Sequence, residues 1–158
     1  MRKLYQALLD ELGELHGEVT KALDTLPAEA LDWTPGPEMN SLSILTVHLM
    51  GAERYWIGDV VQRDPSFRNR EAEFQVKGLD AATLKQRLAD LDAYEVAALG
   101  KLRLRDLDEE RVSPRDGRKV TVGWAVLHPL QHTGQHVGHI EVLVQQWKQK
   151  GSGVELSD

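Results

Sequence analysis

From Tyr5 onward, apolar residues recur at Leu8, Leu9, Leu12, Val19 and Leu23 with helical spacing until Leu26-Pro27 interrupts them. A first helix is therefore predicted over about residues 2–26, with His16 inside its apolar stripe. The run Leu31-Asp32-Trp33-Thr34-Pro35-Gly36-Pro37 holds too much proline to continue it. Asn40 or Ser41 then offers an N-cap side chain to a second helix reaching about Arg63, closed by Asp64-Pro65. A polar connector from Ser66 to Gly78 leads to a third helix starting near Asp80, with Leu84, Leu88, Leu91, Ala98 and Leu102 on one side and Glu95 among them. Past Leu104 the pattern changes, and Arg111 to Val120 reads as two short extended pieces around an Asp116-Gly117 turn, a small hairpin. The last helix spans about Val122 to Lys150. Pro129 inside it removes a backbone donor, so a kink is expected near Ala125.

Four long amphipathic helices and one small hairpin between the third and fourth define an all-α fold, a four-helix bundle. The expected organisation is one domain over residues 1–150 and a frayed tail at 151–158, without internal repeats. With 41% apolar residues in 158, the chain has enough material for a core. The formal charge of −6 argues against a nucleic-acid backbone or an anionic lipid surface as main partner. No stretch has the length of a membrane span, and Met1-Arg2-Lys3-Leu4-Tyr5 runs straight into an amphipathic pattern, so a cytoplasmic location is expected. The absence of cysteine removes disulfides, thiolate ligands and a cysteine nucleophile; any thiol chemistry must use a thiol brought by a ligand.

Candidate chemistry rests on histidine. On the second helix Ile44, Leu45, Ala52, Tyr55 and Trp56 surround the direction of His48, which places that imidazole toward the core. A buried imidazole must satisfy both ring nitrogens, by hydrogen bonds or by a metal and one hydrogen bond. On the last helix the apolar arc of Val126, Val137, Ile140, Val144 and Trp147 is flanked in order by His136, then His132 and His139, with His128 furthest. His132 and His136, four residues apart, stack on one helix face and can chelate one ion, which with His48 gives a three-histidine site. No glutamate follows the first histidine, so the zinc-protease motif is absent. His16 and Glu95 read as core polar residues satisfied by a neighbour. Trp33, Trp56, Trp124 and Trp147 read as core or interface filler, and the charged stretch Arg103 to Arg111 as solvated surface.

Three segments carry a family resemblance. Trp33-Thr34-Pro35-Gly36-Pro37 with Asn40-Ser41 is similar to a proline-rich entry to helix two; Val47-His48-Leu49 through Glu53-Arg54-Tyr55-Trp56 is similar to an "HL…ERxW" helix; Leu127-His128 through His132 and His136-Val137-Gly138-His139 is similar to an "H-x-x-x-H-x-G-Q/H" helix. Together they resemble the DinB/YfiT-like superfamily of metal-binding four-helix bundles. Residue by residue, the resemblance puts the ligands on His48, His132 and His136 and leaves position 139 outside the set. It further implies a homodimer, one divalent ion such as zinc or nickel, a small-molecule substrate, and in some branches transfer or isomerisation with a low-molecular-weight thiol such as bacillithiol or mycothiol.

Three functions compete on these grounds. Three neutral imidazoles leave a bound ion dipositive with an open position, as in catalytic sites. A thiol there gives an S-transferase acting on small electrophiles, and water gives a hydrolase. The third reading is a non-catalytic, stress-associated binding protein, which the lack of a general base near the ligands in sequence favours.

Overall fold

The computed structural model describes residues 2–151, so the tail expected to fray lies almost wholly outside the described residues. Four long helices form a bundle: α1 (Lys3–Thr25), α2 (Leu42–Glu53), α4 (Ala81–Leu99) and α5 (Val122–Gly151), with a short α3 (Arg70–Glu73) between α2 and α4. Each of α1 and α2 packs against both α4 and α5, so the helices carrying His48 and the His132/His136 pair are direct neighbours. Ser41 caps α2 by accepting from the Ile44 N–H, and Asp80 caps α4 by accepting from the Thr83 N–H. The hairpin of β1 (Glu110–Val112) and β2 (Lys119–Thr121) pairs Arg111 with Val120, and Gly117 takes φ +71° in its loop.

Three details depart from the sequence pattern. The connector after α2 is not wholly irregular, because Asn69 accepts from the Ala72 N–H and nucleates α3. The third long helix ends at Leu99, before Leu102, which packs against the core from beyond the helix. Residues Arg54–Gln62 continue α2 as a π-helix, which ends when Arg63 turns left-handed at φ 57°. The wider turn keeps Tyr55, Trp56 and Ile57 in the core consecutively, together with Val60 and Val61. As expected, α5 carries Pro129 within its span, Val122–Gly151.

The core is divided. One apolar cluster joins Val19, Leu49, Leu88, Leu91, Val137 and Ile140; the other joins Leu12, Tyr55, Trp56, Leu99, Val122 and Val126. Between them every long helix contributes a buried polar residue: His16 from α1, Glu53 from α2, Glu95 from α4 and Thr133 from α5. His48 and the His132/His136 pair lie beside this layer, within a turn or two of Glu53 and Thr133 along the same helices.

Candidate metal centre

His48 on α2 and His132 and His136 on α5 come together, each offering one ring nitrogen within 4.8 Å of the others. The ring centroids lie 5.1 Å (48 to 132), 5.0 Å (48 to 136) and 4.4 Å (132 to 136) apart. The Nε2 atoms of His132 and His136 are 3.2 Å apart. Two imidazoles bound tetrahedrally to one ion at about 2.0–2.1 Å would be separated by roughly 3.3 Å, so this pair already has a chelating spacing.

The third imidazole is oriented by residues that sequence periodicity does not reach. His48 Nδ1 donates to Glu73 Oε2 at 2.8 Å, which turns Nε2 toward the other histidines. Glu73, at the end of α3, is gripped in turn by Arg68, through Nε to Oε1 at 2.5 Å and Nη2 to Oε2 at 2.8 Å. Burial alone would raise the Glu73 pKa, but the hydrogen bonds from Arg68 and His48 outweigh it and lower it, so the carboxylate stays charged and fixes the His48 tautomer. Replacing Glu73 with Gln removes the charge that orients His48 and polarises its ring. Metal affinity, measured by competition against a chromogenic zinc chelator, is expected to fall by about 10–100-fold.

His132 and His136 are held neutral. Burial first, and then neighbouring imidazoles, lowers His132 to about 3 and His136 to about 4. Neutral imidazole is the ligand form. Facing Nε2 atoms at 3.2 Å require either a shared proton or a cation between their lone pairs. Both Nδ1 atoms are buried without a hydrogen-bond partner, and the one contact of each Nε2 is with the other Nε2. A neutral, all-nitrogen set of this spacing fits a borderline-soft divalent cation such as zinc or nickel.

The polar layer beside the site is a connected network. Glu53 Oε2 meets His16 Nε2 at 3.0 Å, Glu53 Oε1 accepts from the Thr133 hydroxyl, and Asp92 Oδ1 meets His16 Nδ1 at 2.6 Å. Burial would lower the His16 pKa, yet the hydrogen bonds to Asp92 and Glu53 raise it to about 10. Glu95 is raised by burial and then by the Glu53 charge, so it is neutral where His16 is charged. His16 is thus a core polar residue satisfied within the bundle, as the sequence pattern suggested, whereas Glu95 is buried with its Oε1 lacking a hydrogen-bond partner. Glu53, which the sequence marks only as part of the ERxW segment, is the acid that joins α2 to this network.

His48 and His132 open into a cavity of about 290 Å³ whose walls include Trp56, His128, Arg115 and Arg118. A larger cavity of about 660 Å³ lies on the far side of the Arg68–Glu73 pair, against Met50, Leu91 and Tyr94. None of the three histidines lines it, whereas His48 and His132 line the smaller cavity. His128 is stacked on Trp124 with centroids 4.5 Å apart and sits 5.9 Å from His132. It is therefore part of the site's wall. His139 lies 5.6 Å from His136, without a hydrogen bond to any of the three.

A DinB superfamily model matches residues 11–140, and the chain belongs to that superfamily. The solved structures it is similar to include a conserved protein from Enterococcus faecalis, with TM-score 0.77 and 14% identity over 92% of this chain and 97% of that one. YfiT from Bacillus subtilis, described as "a probable metal-dependent hydrolase with an unusual four-helix bundle topology", aligns with TM-score 0.74 and 16% identity over 94% of this chain and 90% of that one. A DinB-like protein from Bacillus cereus aligns with TM-score 0.73 and 19% identity over 90% and 92% of the two chains. At these identities the likeness establishes the fold. No curated protein matches the chain in sequence.

Proposed function

We propose that this protein is a metal-dependent enzyme whose ion is held by His48, His132 and His136, and that it transfers a low-molecular-weight thiol to small electrophiles. The observation that carries this reading is the convergence of three imidazole nitrogens within 4.8 Å, two of them on His48 and His132, which line a cavity. A divalent ion supplies a Lewis acid that favours the deprotonated form of a nucleophile brought to it. The chain's own residues do the rest. Arg68 fixes Glu73, Glu73 fixes the His48 tautomer, and the low proton affinity of His132 and His136 keeps their lone pairs free at neutral pH. His128, whose pKa is lowered by burial and then by Arg118, is a neutral imidazole in the same wall and is placed to take the proton the nucleophile gives up. With no cysteine in the chain, a sulfur nucleophile has to arrive with the ligand.

Hydrolysis is the second reading. The presence of His128 beside the site favours it, because a neutral base can serve water as well as a thiol, and so does the description of YfiT. The test is zinc- or nickel-loaded protein assayed with a chlorodinitrobenzene and a panel of low-molecular-weight thiols, beside an activated ester without thiol. Metal-dependent conjugation that disappears in His136→Ala supports transfer. Ester cleavage without conjugation would replace that reading by hydrolysis, and neither activity in metal-loaded protein would reject both.

A homodimer is part of this proposal. Val144 and Trp147 near the end of α5 are only partly buried within one chain, with Trp147 edge-on to Trp33 at 5.4 Å, and together with α1 they are candidates for the interface. Light scattering at micromolar concentration is expected to give about twice the chain mass of 17.8 kDa, and a mass near the monomer value would reject the dimer.

A further inference from the structure

The wall opposite the histidines has a charge that the chain as a whole does not. Although the formal net charge is −6, the cavity is bordered by Arg68, Arg70, Arg115 and Arg118 against a single acid, Asp116. Arg68 is committed to Glu73. Arg115 reaches Asp116 at 3.6 Å, and both are half-exposed. Arg118 differs from these two: among the described residues its guanidinium forms no ion pair with a carboxylate, Asp116 meeting only its backbone N–H at 3.2 Å, and its guanidinium carbon lies 4.4 Å from the Trp124 ring centroid and 5.0 Å from that of Trp56. A guanidinium held on indole faces is fixed in place while its N–H edge stays available to an acceptor.

The loop that carries these arginines is pinned. Ser113 N–H donates to the Arg118 carbonyl and Gly117 N–H to the Ser113 carbonyl, both at 2.9 Å. The buried Ser113 hydroxyl meets the Tyr55 hydroxyl at 2.7 Å, and the Arg115 N–H donates to that same Tyr55 oxygen at 3.1 Å. The hairpin is thereby tied to the π-helical part of α2, the segment that also buries Trp56. A cationic wall ordered before any ligand arrives loses little entropy on binding.

We propose that this cavity takes a small molecule with an anionic head, a carboxylate or a phosphate, held by the guanidinium edges of Arg118 and Arg115 while its body lies along Trp56 and His128 toward His132. The inference rests on the reading of the three-histidine site as the reaction centre, and gives its substrate class. Oxyanions match the bidentate N–H fork of arginine, and flat ligand bodies match the indole and imidazole faces.

Trp56 and Trp124 supply the readout. Metal-free protein titrated with benzoate, phenyl phosphate and the uncharged benzamide is expected to show, by tryptophan fluorescence, at least one anion bound about tenfold or more tighter than benzamide, as charged hydrogen bonds imply. The tighter of benzoate and phenyl phosphate identifies the head group. Arg118→Gln should lose about tenfold or more, and Arg115→Gln, which leaves the indole stack untouched, should lose affinity in the same direction. Arg105→Gln, on the exposed surface, should not. Equal affinity for all three probes, or no effect of either variant, overturns the proposal. So does anion binding that requires added zinc and survives Arg118→Gln, since the anion would then be a metal ligand. If the protein never retains zinc but metal-free protein still selects anions through Arg118, the metal reading fails and the anion site stands.

Discussion

Alanine at His132 or His136 is expected to abolish stoichiometric metal retention after desalting, measured by elemental analysis of zinc-loaded protein. Each variant removes one of three neutral nitrogens, and the loss should exceed the ~10–100-fold that deleting an outer partner costs. His48→Ala belongs with them, because its Nε2 is aimed into the site by Glu73. His128→Ala should keep the metal: its ring is 5.9 Å from His132 and it contributes no nitrogen to the three-histidine cluster. His139→Ala should change retention little, since no hydrogen bond joins it to the three. Metal retained by His136→Ala and lost by His128→Ala would show that the wrong pair on α5 had been assigned.

That His48, His132 and His136 face one another was legible because each direction follows from helix periodicity. His48 sits amid apolar neighbours one face wide, and His132 and His136 are one turn apart, so both directions follow from about 100° per residue. The caps at Ser41 and Asp80 were equally local. Glu73 and Arg68 were not legible, because the connector that holds them has no periodic pattern and only tertiary packing brings it over His48. Glu53 was hidden for a different reason: a lone acid in an apolar run has no meaning until His16, Thr133 and Glu95 are known to arrive from three other helices. The sequence ranks His128 furthest from the apolar arc, yet it is half-buried in the cavity wall against Trp56 and Trp124, and His139 is the exposed one. The π-helical stretch explains why three consecutive core residues, Tyr55 to Ile57, fit no α-helical face.

The largest stability effect is expected at Glu53. It is fully buried, and its removal leaves the charged His16 facing only the half-exposed Asp92 and the neutral Glu95, with the Thr133 hydroxyl unpaired. Breaking a buried pair in this way costs about 3–5 kcal/mol, a large part of the ~5–15 kcal/mol that holds a domain folded. Glu53→Ala should therefore shift the urea midpoint far more than Asp24→Ala, which breaks the exposed pair with Lys85 and should cost about 1 kcal/mol or less. If the layer serves specificity rather than net stability, the triple variant His16→Leu/Glu53→Leu/Glu95→Leu should recover much of the loss, because apolar packing replaces the whole network. The pH dependence follows from His16, whose pKa in the fold is raised from 6.5 to about 10 by Asp92 and Glu53 against the opposing effect of burial. Such a group contributes its full stabilisation below about pH 6.5 and loses it as pH rises toward 10. Glu95, also raised, acts in the same direction over its own range. Wild-type stability should thus fall between neutral pH and pH 10 more steeply than that of His16→Leu, in which lysine and tyrosine titration is unchanged. Parallel slopes for the two proteins would mean that His16 is neutral in the fold and that the layer is held by hydrogen bonds without an ion pair.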